Sequence, residues 1–277
     1  MPLIETARAT LHYEEAGKGP PVIFAAGLGG RGSYWARQFE TLSGSFRCIT
    51  YDHRGVGRSA PSAPPYSIAM LADDVVGLMD ALGIDRAHYV GHSTGGAMGQ
   101  WLAVHRPARF DRFVLSATWT WADARFRTVM TSRQAILDRL GPEAYVEASL
   151  PLLYPRDWFD RPAEEIAKFA ADMAAGQGAP EVQSGRIDAL LVSDQRDGLE
   201  TVTADVLVTC AADDCLCPPA YSEELVERLP KARLVRFRDG GHHFPQTRSD
   251  WFNDAVGGFL AGEPLAEKAL AGLGVET

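Results

Sequence analysis

The sequence predicts an α/β fold: a mostly parallel sheet with helices on both faces, interrupted by a helical insertion. Three observations lead to that reading. Short β-rich apolar runs alternate with segments whose apolar residues recur at helical spacing, the pattern of successive βαβ units. The alternation stops over residues 118–193, where helical patterns continue without a convincing strand, and then resumes. A Gly-rich turn, Gly91-His92-Ser93-Thr94-Gly95-Gly96, lies at the junction of one strand pattern and the next helix pattern.

Taken in order, residues 4–8 and 10–15 alternate in polarity and read as two strands joined by a tight turn. Residues 21–26 form a continuous apolar run ending at Gly27, the pattern of a strand buried on both faces. Further strands are expected at 46–51, 87–90, 112–115, 205–210 and 233–237. Helices are expected at 33–42, 67–82, 94–105, 220–229 and 250–260. In the second of these, Ile68, Leu71, Val75, Leu78, Met79 and Leu82 keep helical spacing, and Gly83 follows as a stop signal. Residues 261–277 are expected as a short helix or a tail. The expected organisation is a core of residues 1–117 and 194–277 with a helical cap at 118–193. An insertion at that point lies over the carboxyl ends of the strands, where open α/β sheets place ligands.

Composition narrows the function. With 277 residues, 46% of them hydrophobic, the chain is long enough to build a core without disulfides or metal. The net charge of −9 argues against nucleic acid and against anionic membrane surfaces, both of which need clustered Lys and Arg. No apolar run approaches the roughly 18 residues of a membrane span. Residues 1–15 carry acids early and lack an apolar signal region, so a cytoplasmic location is expected. Cys48, Cys210, Cys215 and Cys217 are too few and too unevenly spaced for a disulfide framework. Cys215-Leu216-Cys217 has no second pair at zinc-like spacing, so neither a metal nor another cofactor is expected. The expected partner is a small-molecule substrate, and the expected assembly is a monomer or homodimer.

The Gly-rich turn carries the chemistry. Gly91-His92-Ser93-Thr94-Gly95 fits G-x-S-x-G between strand and helix, the setting of a nucleophile elbow. Glycines allow strand and helix to approach, and a sharp turn there exposes Ser93 at the positive end of a helix. A serine hydroxyl needs a base. His242 is the candidate, directly after Gly240-Gly241 and just past the last strand, with His243 as its neighbour. The imidazole in turn needs an acid. Asp213-Asp214 follows the strand at 205–210, and Asp214 is the choice, with Asp213 shaping the turn. Two amide donors should face the developing oxyanion: the N–H of Thr94 and that of Leu28, in Ala26-Gly27-Leu28-Gly29-Gly30.

With these residues in view, the chain resembles the α/β-hydrolases over nearly its whole length. Tyr51-Asp52-His53-Arg54-Gly55-Val56-Gly57-Arg58-Ser59 is similar to that family's D-x-R-G-x-G-x-S turn, which is structural; His53 is read as non-catalytic. Ala26-Gly27 stands where the family often has His-Gly. Within the superfamily, three segments are similar to the aminoacrylate hydrolases of pyrimidine utilisation and the 3-oxoadipate enol-lactonases. They are Leu153-Tyr154-Pro155-Arg156-Asp157-Trp158, the stretch from Ala212 through Pro218 to Leu225, and Tyr51-Asp52 with its turn. Ser93-Thr94-Gly95-Gly96 also resembles the cofactor-free haloperoxidases and related esterases. The resemblance implies an eight-stranded sheet and a Ser-Asp-His triad. It implies hydrolysis of a small ester, lactone, carbamate-like or amide substrate in small-molecule catabolism. Two other readings are compatible with it: C–C bond hydrolysis of dienoate-type ketones, or a ligand receptor without turnover.

Substrate choice is expected to reside in the insertion. Trp119 and Trp121, directly after a strand, are placed to line a pocket. Arg125, Arg127, Arg133 and Arg186 could each hold a substrate carboxylate, with Arg125 and Arg186 the first candidates. Otherwise such arginines are solvated residues on helix surfaces.

Overall fold

A computed structural model describes residues 2–263. Of the expected terminal helix or tail at 261–277, residues 264–277 lie outside the described residues. The strands are β1 (Leu3–Glu5), β2 (Thr10–Ala16), β3 (Pro21–Ala25), β4 (Arg47–Tyr51), β5 (Ala87–His92), β6 (Phe110–Ser116), β7 (Asp205–Ala211) and β8 (Ala232–Phe237). They form one eight-stranded sheet in the order β1-β2-β4-β3-β5-β6-β7-β8. The pairs β1–β2 and β2–β4 are antiparallel, and all the others are parallel.

The chain leaves β3 toward β4 on one side and returns to β5 on the other. The carboxyl ends of β3 and β5 therefore flank the point where strand order reverses, and a crevice opens there. The loop after β3 carries Leu28, and the turn after β5 carries Ser93.

The helices are α1 (Ala36–Leu42), α2 (Ile68–Ala81), α3 (Thr94–His105), α4 (Ala124–Leu153), α5 (Ala163–Ala175), α6 (Pro180–Leu191), α7 (Pro219–Arg228), α8 (Phe244–Thr247) and α9 (Ser249–Ala261). Side-chain alternation along the strands divides the core into two layers. Ile23, Ala25, Tyr89, Leu115 and Val208 pack with α2, α3 and α7 on one face. Val22, Phe24, Val90, Val114 and Leu207 pack with α1 and α9 on the other. Burial on both faces explains why the parallel strands read as unbroken apolar runs.

Some boundaries differ from the sequence reading for local reasons. The first strand stops at Glu5 rather than residue 8, because Thr6 Oγ1 donates to the Ala9 carbonyl at 2.8 Å and accepts from its N–H at 3.0 Å, closing the turn early. The helix expected from residue 33 starts as a 3-10 turn, Gly32–Trp35, whose Gly32 N–H donates to Asp52 Oδ1 at 2.8 Å.

Between β6 and β7 the described residues contain helices and one isolated antiparallel bridge, Trp121 with Asp194, which ties the two ends of the insertion together. Helix α4 is not continuous: Gly141 has φ 88°, followed by Pro142, and the chain reverses there. No helix among the described residues is long and apolar enough to cross a membrane.

Packing is tight under the Ser93 turn. A Cβ on Gly95 would overlap the carbonyl oxygen of Ala25 in β3, and one on Gly91 would overlap the carbonyl oxygen of Gly95. Gly29 has open space around its Cβ position. Gly95→Ala is expected to lower stability by about 1–3 kcal/mol in denaturant unfolding, as overpacking does. Gly29→Ala should stay within about 0.5 kcal/mol of wild type. Equal losses would show that the close approach of α3 to β3 is not a constraint.

Candidate active site

Ser93 links β5 to α3 with φ 55° and ψ −113°, a conformation that costs a non-glycine residue about 1–3 kcal/mol. Surrounding hydrogen bonds hold it there. Its N–H donates to the Ser116 carbonyl at 2.8 Å, and its own carbonyl accepts from Thr118 Oγ1 at 2.9 Å. Tyr89 Oη donates to the Gly95 carbonyl at 2.7 Å, fixing the first turn of α3. The Ser93 side chain lines a cavity of about 390 Å³. Thr94 is the first residue of α3, so its N–H has no partner within the helix. Leu28 lines the same cavity from the loop after β3.

His242 lines the cavity too, from the loop after β8. Its Nδ1 lies 2.8 Å from Asp214 Oδ2. The other carboxylate oxygen, Oδ1, accepts the N–H groups of Leu216 and Cys217, each at 2.8 Å. Asp214 is 3% exposed, so these three donors replace the water its charge would otherwise require. Asp213 does different work: its Oδ1 accepts the Gly241 N–H at 2.8 Å, which anchors the histidine loop.

The insertion residues divide. Trp119 lines the cavity and stacks on Phe126, ring centroids 4.3 Å apart. Trp121 does not line it; it pairs with Asp194 at the base of the insertion, and the Arg196 guanidinium lies 4.5 Å over its ring. Arg125 is also outside the cavity lining. Its guanidinium donates to the carbonyls of Cys215 and Leu216, the latter at 3.1 Å, and so braces the loop that carries Asp214. Arg186 is 1% exposed and donates from Nη2 to His53 Nδ1 at 2.7 Å, behind Gly30 rather than in the cavity. Burial pulls its guanidinium down to about 10. Among the four candidate arginines, only Arg133 lines the cavity. Sequence reasoning placed it behind Arg125 and Arg186, because its environment depends on the chain reversal at Gly141.

His92 and Tyr34 were also missed. His92, the variable position in the G-x-S motif, is buried against Tyr34, centroids 4.9 Å apart, and against His242, 4.7 Å apart. Its position beside Ser93 was the available signal; Tyr34 carried none. His243, read only as the neighbour of His242, is half-buried between Tyr34 and Tyr154. Burial, with the neighbouring histidines, holds His92 well below the usual imidazole range. His243 is lowered likewise by burial, then by His242 and Arg133. His53 is lowered by burial and by Arg186.

A family model described as the alpha/beta hydrolase fold matches residues 20–141. A Caulobacter sp. (strain K31) protein provisionally named carbamate hydrolase RutD is 42% identical over 257 residues, covering 91% of this chain and 96% of that protein. A protein of the same provisional name from Azorhizobium caulinodans is 35% identical, covering 94% and 98%. Among solved structures, the enol-lactonase from Burkholderia xenovorans LB400 superposes with a TM-score of 0.85 at 30% identity, covering 94% of this chain and 100% of that one. The chain belongs to the α/β-hydrolase family. The sequence likeness to the aminoacrylate hydrolases of pyrimidine utilisation and to the enol-lactonases is borne out by these relatives.

The buried histidines make stability pH-dependent. His53, His92 and His243 stay neutral in the fold, whereas in the unfolded chain they protonate near the ordinary value of 6.5. The unfolded state therefore binds more protons as pH falls through that value. Stability present above it is lost below it, with a slope approaching about 1.4 kcal/mol per pH unit for each group. The thermal midpoint should fall between pH 7 and 5.5, and replacing His243 by Phe should flatten the fall. A midpoint independent of pH over that range would contradict neutral burial.

Proposed function

We propose that this protein is a serine hydrolase acting on a small ester, lactone, carbamate-like or amide substrate through an acyl-enzyme on Ser93. The observation that carries the reading is the meeting of a strained Ser93 and the Asp214-bound His242 in one cavity. Asp214 bonds Nδ1 of His242, which leaves Nε2 as the basic nitrogen. In this mechanism Ser93 Oγ attacks the carbonyl carbon as its proton passes to His242 Nε2. The amides of Leu28 and Thr94 receive the oxyanion. The tetrahedral intermediate collapses, His242 returns the proton to the leaving group, and the acyl group remains on Ser93. A water, deprotonated by the same imidazole, then attacks the acyl carbon; the Ser93 Oγ–acyl bond breaks, His242 returns the proton to Ser93 Oγ, and the acyl group leaves as an acid.

The cavity, about 390 Å³ and near the small end for ligand sites, suits a compact substrate rather than a long acyl chain. The relatives named as carbamate hydrolases favour a carbamate-like or related C–N acyl substrate within this range. A cytoplasmic catabolic role fits the same relatives.

The groups should act as one unit. With p-nitrophenyl acetate, Ser93→Ala and His242→Ala should each reduce kcat by about 10⁴-fold, and the double variant should lose little more. Asp214→Asn should be severe and Asp213→Asn much milder. Multiplicative losses from Ser93 and His242, or a more damaging change at Asp213, would contradict these roles.

A further inference from the structure

The cavity wall formed by α4 contains a cation with no anion to match it. Arg133 is 7% exposed and lines the cavity with Tyr145, Ser149 and Gln183. Its Nε donates to Ser149 Oγ at 3.1 Å and its Nη2 to Tyr145 Oη at 2.8 Å, while Nη1 meets only the Met130 sulfur at 3.5 Å. Among the described residues it has no carboxylate partner. A guanidinium carries five N–H donors, and a thioether is a weak acceptor, so part of the fork is unspent. Tyr145 Oη already accepts from Arg133 and, at 3.1 Å, from Gln183 Nε2. Its own proton has no acceptor among the described residues.

This arrangement depends on the break in α4. Residues 133 and 145 would lie about 18 Å apart on a straight helix. The reversal at Gly141 brings them into hydrogen-bond contact. A simple tie between the two halves of α4 does not need a cation. Neutral side chains could make the same bonds without burying a charge that lacks a counter-ion. Arg186, the other buried guanidinium, lies outside the cavity, and the remaining charged residues of the lining, Arg31 and Asp172, are exposed.

We infer that Arg133 and Tyr145 form a carboxylate subsite, so that the substrate is a small organic acid carrying its scissile acyl bond a few atoms from an anionic group. The inference rests on the reading of this cavity as the hydrolase site. It assigns the guanidinium to the group that does not react, leaving Ser93 to the acyl carbon. A bidentate guanidinium–carboxylate pair in a largely apolar pocket selects for charge as well as size. It also matches the neutral state of His92 and His243, which leaves Arg133 the permanent charge facing an incoming anion inside the cavity.

Two assays test this separately from turnover. The first compares mono-p-nitrophenyl succinate with its methyl ester. The wild type should favour the acid about 10-fold or more through KM, and Arg133→Gln should erase that preference, with Arg133→Lys keeping part of it. The second uses calorimetry with succinate alone. Binding should be seen with wild type and be lost in Arg133→Gln, whose folded state is checked by fluorophosphonate labelling of Ser93. If the Gln variant does not label, the wild-type arms decide: no acid preference and no succinate binding overturn the subsite. Equal succinate binding by a labelled Gln variant overturns it too. Succinate binding to a wild type that neither labels nor hydrolyses either ester would keep the subsite and reject the serine-hydrolase reading.

Discussion

Where α3 starts, its backbone lies against the end of β3 so closely that Gly95 has no room for a side chain beside the Ala25 carbonyl. That contact has consequences in three directions. It forces the chain between β5 and α3 into a sharp turn, which places Ser93 at a positive φ. It points the first turn of α3, with its free N–H groups, at the same crevice. It also brings the Leu28 loop within reach of Ser93: a Cβ on Gly27 would stand 3.2 Å from that of Ser93. The strain at Ser93 persists because Ser116, Thr118 and the Tyr89–Gly95 bond hold both sides of the turn. Local geometry and tertiary packing specify one another here.

Charge in the largely apolar cavity is managed in several ways. Asp214 is buried but fully engaged by two amides and one imidazole. His92 and His243 avoid the cost of burial by staying neutral. Arg186 is set behind the Gly30 loop, where His53 takes one of its donors. Neither guanidinium has a carboxylate partner among the described residues, but of the two only Arg133, held by hydroxyls and a thioether, faces the cavity. A cavity built this way has a polarity: Ser93 and the Asp214–His242 pair belong to the sheet and its loops, and the cation belongs to the insertion.

Much of the sheet was legible because parallel strands buried on both faces leave unbroken apolar runs, as at β3 and β5. The Ser93 turn was legible for a related reason. Gly91 and Gly95 are required by backbone contacts, and such requirements leave a fixed spacing in the chain. Asp214 and His242 could be placed because each follows a strand end that topology delivers to one edge. The insertion was not legible in the same way. Arg125, Arg133 and Arg186 look alike in sequence, yet one braces a loop, one faces the cavity and one lies behind Gly30. Their fates depend on how helices pack across the reversal at Gly141, and periodicity carries no information about that. Trp119 and Trp121, two residues apart, separate for a similar reason: one faces the cavity and the other joins a bridge to Asp194.

Catalysis of the proposed kind requires Ser93 to form a covalent bond to the acyl group during turnover. The most direct measurement is acid quenching within the first turnovers of an activated ester or carbamate, followed by peptide mass analysis. An acyl adduct is expected on the peptide containing Ser93, lost on dilution as hydrolysis proceeds and absent from the Ser93→Ala variant. Rapid turnover with no adduct at any quench time, or an adduct on another residue, would contradict it.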